Sequence, residues 1–271
     1  MKTFKELGVN KSFIKGLTEL NIINPTEIQE QVIPMLLNYN TDLVGQAQTG
    51  TGKTAAFGLP LLQKMDASKD YIQGVILAPT RELGQQIAKQ LFKFTKYSDK
   101  IFIEAIFGGQ HIDIQIKNLK RPTHIVVATP GRLIDLVRRK DIDLRKVHTV
   151  VMDEADEMLS MGFKKELDEI LGFMTSVQSK WLFSATLPEG IKQIVNTHMS
   201  PEAKKINVSK DVVNTFGSCW IGYNINWFNT VSRTFCFISL LVPSSMLSTM
   251  IDPRRGNTVL KRILFCSTNH I

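Results

Sequence analysis

Cysteine is nearly absent, with three residues in 271, at positions 219, 236 and 266. None has the close paired spacing of a zinc site, and three cannot build a disulfide framework. The expectation is a reduced, cytoplasmic compartment. The opening Met1-Lys2-Thr3-Phe4-Lys5-Glu6 lacks the apolar stretch of a secretory leader. Long uncharged runs are scarce too. In the uncharged span 234–251, Pro243 and five Ser/Thr from Ser239 onward argue against a membrane helix, so no membrane partner is expected. Acidic residues fall short of basic ones, 25 against 33, and the net charge of +8 favours a polyanionic partner. The 43% hydrophobic and 21% charged content is that of a globular chain, long enough for one large domain or two smaller ones.

Against that background two short stretches carry chemistry. Ala47-Gln48-Thr49-Gly50-Thr51-Gly52-Lys53-Thr54 is close to the phosphate-loop pattern G-x-x-x-x-G-K-[ST], with alanine in place of the first glycine. Gly50 and Gly52 allow positive φ and expose successive N–H groups to phosphate oxygens. Lys53 would reach the outer phosphates, and the Thr54 hydroxyl would help hold Mg²⁺. The strand-like 42–46 enters this loop, and 54–60 reads as the start of a helix whose N-terminus faces the anion. The second stretch, Asp153-Glu154-Ala155-Asp156, follows the apolar run Thr149-Val150-Val151-Met152. A carboxylate at the end of a buried parallel strand lies where such sheets bind ligands. Asp153 suits contact with Mg²⁺, and Glu154 suits polarisation of an attacking water. Together the two stretches indicate nucleoside triphosphate hydrolysis.

Between and beyond them, strand-like and helix-like stretches alternate. The runs 74–78, 101–107, 124–128, 149–152 and 181–186 read as strands, and 82–96, 133–139 and 190–198 as helices. Alternation of this kind predicts an α/β fold, a mainly parallel sheet with helices on both faces.

Several further motifs, in order, give residues 1–207 a resemblance to the first RecA-like domain of a DEAD-box RNA helicase. Asn24-Pro25-Thr26-Glu27-Ile28-Gln29 resembles the Q motif, and Phe4 its isolated upstream aromatic. The resemblance implies that Thr26 and Gln29 serve the nucleotide, with Gln29 reading the adenine edge through its donor and acceptor. Asn21-Ile22 stands where most members have glycine and an aromatic, so adenine would pack on an aliphatic side chain. The Ala47 opening is the family's own form of the loop, and implies ATP contacts from Gln48, Thr49 and Thr51 besides those named. Pro79-Thr80-Arg81-Glu82-Leu83 resembles motif Ia, Gly108-Gly109 the GG motif, and Thr129-Pro130-Gly131-Arg132 motif Ib. They imply a single-stranded RNA track that contacts phosphate and sugar, with little sequence preference. Ser184-Ala185-Thr186 resembles motif III, whose hydroxyls would bond Asp156 and couple nucleotide state to RNA grip. The basic clusters 117–121 and 138–140 read as solvated helix faces rather than RNA contacts.

The pattern stops near Val208. Residues 209–271 hold six Lys/Arg, two Asp/Glu and all the cysteines, without clear periodicity. No His-Arg-x-Gly-Arg-x-x-Arg string of the family's second domain occurs there. Arg262 to Thr268 faintly resembles that domain's first strand, and chance accounts for it better. A frameshift or truncation is favoured over a divergent extension, with a disordered tail as the consequence. Arginines from a second domain can contribute roughly 10³–10⁵ in rate. The expectation is therefore an ATP-dependent RNA helicase domain that, alone, binds ATP weakly and hydrolyses it negligibly. The alternatives are a non-catalytic RNA- or partner-binding module and a DNA-directed ATPase.

Overall fold

The computed structural model describes residues 2–208; the expected divergent tail, 209–271, lies outside the described residues. Lys11–Glu19 forms α1 and Glu27–Asn38 forms α2. Leu43–Ala47 forms β1, and α3 follows the exposed loop at Lys53–Gln63. Then come β2 (Gly74–Leu77), α4 (Arg81–Phe94), β3 (Ile103–Ile106), α5 (Ile112–Leu119), β4 (Ile125–Ala128) and α6 (Pro130–Arg138). The series closes with β5 (Thr149–Met152), α7 (Ala155–Ser160), α8 (Lys164–Phe173), β6 (Ser179–Ser184), α9 (Glu189–His198) and β7 (Lys204–Val208). Among the described residues no helix is long and apolar enough to cross a membrane.

The seven strands form one sheet in the order β3-β4-β2-β5-β6-β1-β7, with every pair parallel. Side chains alternate across it, so the inner strands feed two cores, while the edge strand β7 feeds one. Ile76, Val127, Val151, Trp181 and Phe183 pack against α1 to α4 on one face. Val75, Leu77, Val126, Val150, Met152 and Leu182 pack against α6 to α9 on the other. The β-branched runs expected to be buried are buried from end to end in β2, β4 and β5.

Strand ends sit within two residues of the sequence expectation. The expected 101–107 strand shortens to Ile103–Ile106, and the helix expected from Leu133 begins three residues earlier, at Pro130. Pro130 occupies the first helical position, where its missing N–H costs nothing. The sequence reading leaves α1, α2, α5, α7, α8 and β7 unassigned, although Leu167, Ile170 and Leu171 give α8 a buried stripe at helical spacing.

A buried carboxylate stitches the opposite end of the sheet. Asp42 is 5% exposed and accepts hydrogen bonds from the backbone N–H groups of Lys180 and Ser200, both at 2.7 Å. The β1, β6 and β7 ends are thereby fixed together.

Candidate functional site

All the strands run the same way, so their C-terminal ends share one edge, and the motifs line up along it in strand order. The loop 48–52 follows β1, Ala185 follows β6, Asp153 follows β5, Pro79 follows β2, Thr129 follows β4 and Phe107 follows β3. Of three neighbouring strands, β1 and β5 carry nucleotide candidates and β6 between them the coupling pair Ser184 and Thr186; the adjoining three carry the RNA candidates.

In the phosphate loop, Gly50 and Gly52 have φ of +77° and +93°. A side chain on Gly52 would come within 2.4 Å of Gln29 Nε2, so glycine is required twice over, by backbone and by space. Gln48, Thr49 and Gly50 are exposed, while Lys53 is folded inward at 6% exposure. Among the described residues Lys53 Nζ has no hydrogen-bond partner, and the nearest carboxylate oxygen, Asp153 Oδ1, is 3.9 Å away. A buried ammonium with an incomplete set of acceptors, set behind exposed backbone N–H groups, suits a polyanion.

Asp153 is 3% exposed, and burial pushes its carboxyl up to about 6. Lys53 opposes that rise and the neighbouring Glu154 adds to it. Such a carboxylate gains from a nearby cation. The residues present therefore fit a Mg²⁺–triphosphate, with Asp153 and the Thr54 hydroxyl as oxygen donors of the kind that ion prefers. Glu154 caps α7 with φ +52° and ψ +51°, a left-handed conformation costly for a residue with a Cβ. Its carboxylate makes no hydrogen bond among the described residues. The strained turn points to function rather than to packing.

Asp156 accepts bonds from the Thr186 hydroxyl at 2.7 Å and the Thr186 N–H at 2.9 Å. Burial opposes its ionisation, but the bonds from Thr186, with Ser184 beside it, outweigh burial and hold the carboxyl below the usual range. Both hydroxyls of 184–186 are expected on Asp156. Ser184 Oγ lies within bonding reach of Asp156 and also donates to the Thr186 carbonyl at 2.6 Å, which tightens the same turn from within. Gln46, which sequence reasoning missed, donates to the Ala185 carbonyl at 3.3 Å and ties the turn to β1.

The expected adenine readers sit against the phosphate loop. The Thr26 hydroxyl donates to Thr51 O at 2.8 Å. Gln29, 3% exposed, accepts from the Thr26 N–H and donates to Gly52 O, both at 3.0 Å. One amide N–H and one oxygen lone pair remain for a base edge. Phe4 requires a correction. It is 3% exposed within the core shared with α1 to α4, so it supports this region by packing rather than by touching a ligand.

On the RNA side, Thr80 caps α4 by accepting from Leu83 N at 3.3 Å. Arg81, next to it, makes no hydrogen bond or ion pair among the described residues. Gly109 has φ +76°, and a Cβ there would lie 3.4 Å from Arg81 Nη1. Pro79 is buried, Thr129 is half-buried, and Gly108 and Gly131 are exposed. Arg132 also departs from expectation. Its guanidinium is engaged within the protein, with Nη1 donating to Gln110 O and Gln115 Oε1 at 3.2 Å and Nη2 to Gln110 O at 3.3 Å. Gln115, also missed by sequence reasoning, is 1% exposed on an otherwise amphipathic helix.

A family model described as DEAD/DEAH box helicase matches residues 26–194. The chain belongs to this family. It is 45% identical over 211 residues to a DEAD-box ATP-dependent RNA helicase CshA of Bacillus cereus, covering 78% of this chain and 40% of that protein. It is 42% identical to the protein of the same description from Geobacillus kaustophilus, over 79% of this chain and 45% of that one. The chain thus spans less than half the length of these curated relatives. Among solved structures, a DEAD box protein from Methanococcus jannaschii superposes with a TM-score of 0.73 at 37% identity, covering 76% of this chain and 56% of that one. A hypothetical ATP-dependent RNA helicase from Sulfolobus tokodaii gives 0.68 at 34%, covering 73% and 57%. The parallel seven-stranded domain is therefore of the RecA-like, DEAD-box kind.

Proposed function

We propose that residues 1–208 form an ATP- and RNA-binding half of a DEAD-box RNA helicase, working in a reduced cytoplasmic compartment. The observation that carries this reading is the Lys53 ammonium, buried without a hydrogen-bond partner among the described residues and 3.9 Å from Asp153. In the proposal, Lys53 and the N–H groups of 48–52 bind the phosphates, and Thr26 and Gln29 hold the base. Thr54 and Asp153 hold Mg²⁺, which when bound offsets phosphate charge. Glu154 orients and deprotonates the attacking water. Asp156, Ser184 and Thr186 link that site to the RNA side, where Thr80, Arg81, Gly108, Gly109 and Thr129 bind the sugar-phosphate chain. Remodelling of duplexes needs a second RecA-like domain to close over both ligands.

The test is binding of a fluorescent ATP analogue to the full chain. Lys53→Ala should weaken it by roughly tenfold to a hundredfold, the effect of losing a charge-assisted contact. Equal affinity in the two proteins would overturn the reading. A non-catalytic RNA- or partner-binding module is the second reading. It predicts RNA binding that is indifferent to ATP.

A further inference from the structure

We propose that Gln115 is a positioning residue that holds the turn 107–110 open as a cradle for one RNA phosphate; this rests on the RNA reading above. The turn is pinned at both ends by one buried amide. Gln115 Nε2 donates to the Phe107 carbonyl at 2.8 Å and to Gln110 Oε1 at 3.2 Å. Gln115 Oε1 accepts from Arg132 Nη1 at 3.2 Å, and Arg132 in turn holds the Gln110 carbonyl. Both N–H groups and the oxygen of the Gln115 amide are therefore used, at a site where an aliphatic side chain would fill the same space.

What lies between the pinned ends is suited to an anion. Gly108 and Gly109 are exposed, and among the described residues neither backbone N–H has a hydrogen-bond partner. Arg81, without a partner of its own among the described residues, lies beside Gly109. Backbone N–H groups in a glycine turn with a guanidinium alongside bind phosphate without reading a base. Arg132 contributes by bracing the turn, not by reaching the RNA. The network joins the loops after β3 and β4, so α5 sets how the two face the strand.

The decisive measurement is binding of fluorescein-labelled single-stranded oligouridine to the full chain, titrated across salt, alongside thermal midpoints and labelled-ADP affinity. Gln115→Leu should weaken RNA binding about fivefold to tenfold and reduce the salt slope by about 0.7, the loss of one phosphate contact on a single strand. ADP affinity should stay near that of the parent, while the thermal midpoint should fall modestly as the Phe107 carbonyl and Arg132 lose a buried partner. Gln115→Glu keeps the acceptor for Arg132 but sets a carboxylate against the Phe107 and Gln110 oxygens, so a loss of RNA binding at least as large is expected. Parental RNA affinity in both variants, or a parallel loss of RNA, ADP and thermal stability, overturns the inference. If Gln115→Leu does not fold, Gln115→Glu decides by the same criteria. Absence of RNA binding by the parent overturns the RNA reading itself, and this inference with it.

Discussion

At the scale of single residues, the phosphate-loop chemistry divides into groups that bind and groups that are strained or held in a costly charge state. Glu154 is the clearest case. Its left-handed backbone costs roughly 1–2 kcal/mol for a residue with a Cβ. Glu154→Gly should therefore raise stability by about 0.5–1 kcal/mol, part of the gain being lost to unfolded-chain entropy. Glu154→Gln should leave stability and nucleotide affinity unchanged. With a second domain supplied, both variants should lose about 10²–10⁴ in turnover, the usual worth of a general base. Chemical denaturation and single-turnover hydrolysis together check this. Asp153 gives a pH signature. Its folded value, about 6, lies above the unfolded value of 3.8. The folded state holds the proton more tightly, so this group favours folding below about pH 4, and the benefit is lost as pH rises through 6. Two units correspond to about 3 kcal/mol. In metal- and nucleotide-free protein, the fall in stability between acid and neutral pH should shrink in Asp153→Asn, read from urea midpoints. An unchanged pH slope would count against burial as the cause. These residues were legible in the sequence because their types and spacing are chemical requirements. The internal engagement of Arg132 and the burial of Phe4 were not, because both depend on neighbours distant in sequence.

At the scale of elements, the fold holds the motif loops by pinning strand ends at both edges of the sheet. Away from the motifs, Asp42 accepts from Lys180 and Ser200 across three strand ends. Asp42→Ala would leave two backbone donors without that acceptor and cost about 2–4 kcal/mol. The thermal midpoint should drop by roughly 5–15 °C for a domain of this size. A change of a degree or two would show that water replaces the carboxylate. Surface pairs such as Arg138 with Glu169, between α6 and α8, contribute far less, being largely exposed. Buried strands were readable from the sequence as β-branched runs. Helices α1 and α2 were not assigned. The stretch that includes α2 was read for its nucleotide motif instead, although Thr26 and Gln29 also close its N-terminus. Pro34 inside α2 further obscures the helical signal.

At the scale of the whole molecule, the sheet edge sets the proposed nucleotide site beside the proposed RNA contacts, in strand order. Supplying a second RecA-like domain in trans should convert weak ATP binding into RNA-stimulated hydrolysis, by roughly 10³-fold or more if it brings the arginines that stabilise transferring phosphate. Steady-state phosphate release with and without RNA measures this; RNA-stimulated turnover by the chain alone would contradict it. The sequence by itself determined the fold class and the family. Those follow from local constraints: glycines that permit positive φ, a lysine and carboxylates at fixed offsets, and strand and helix periodicities. Only the tertiary structure decided the order of motifs along the edge, because strand order is set by crossovers that no short segment encodes. It also decided which polar groups are already satisfied. Among the described residues Lys53 lacks a hydrogen-bond partner while Arg132 makes three hydrogen bonds to the protein, although both are cations in a motif. That difference arises from burial and partner geometry between segments far apart in the chain.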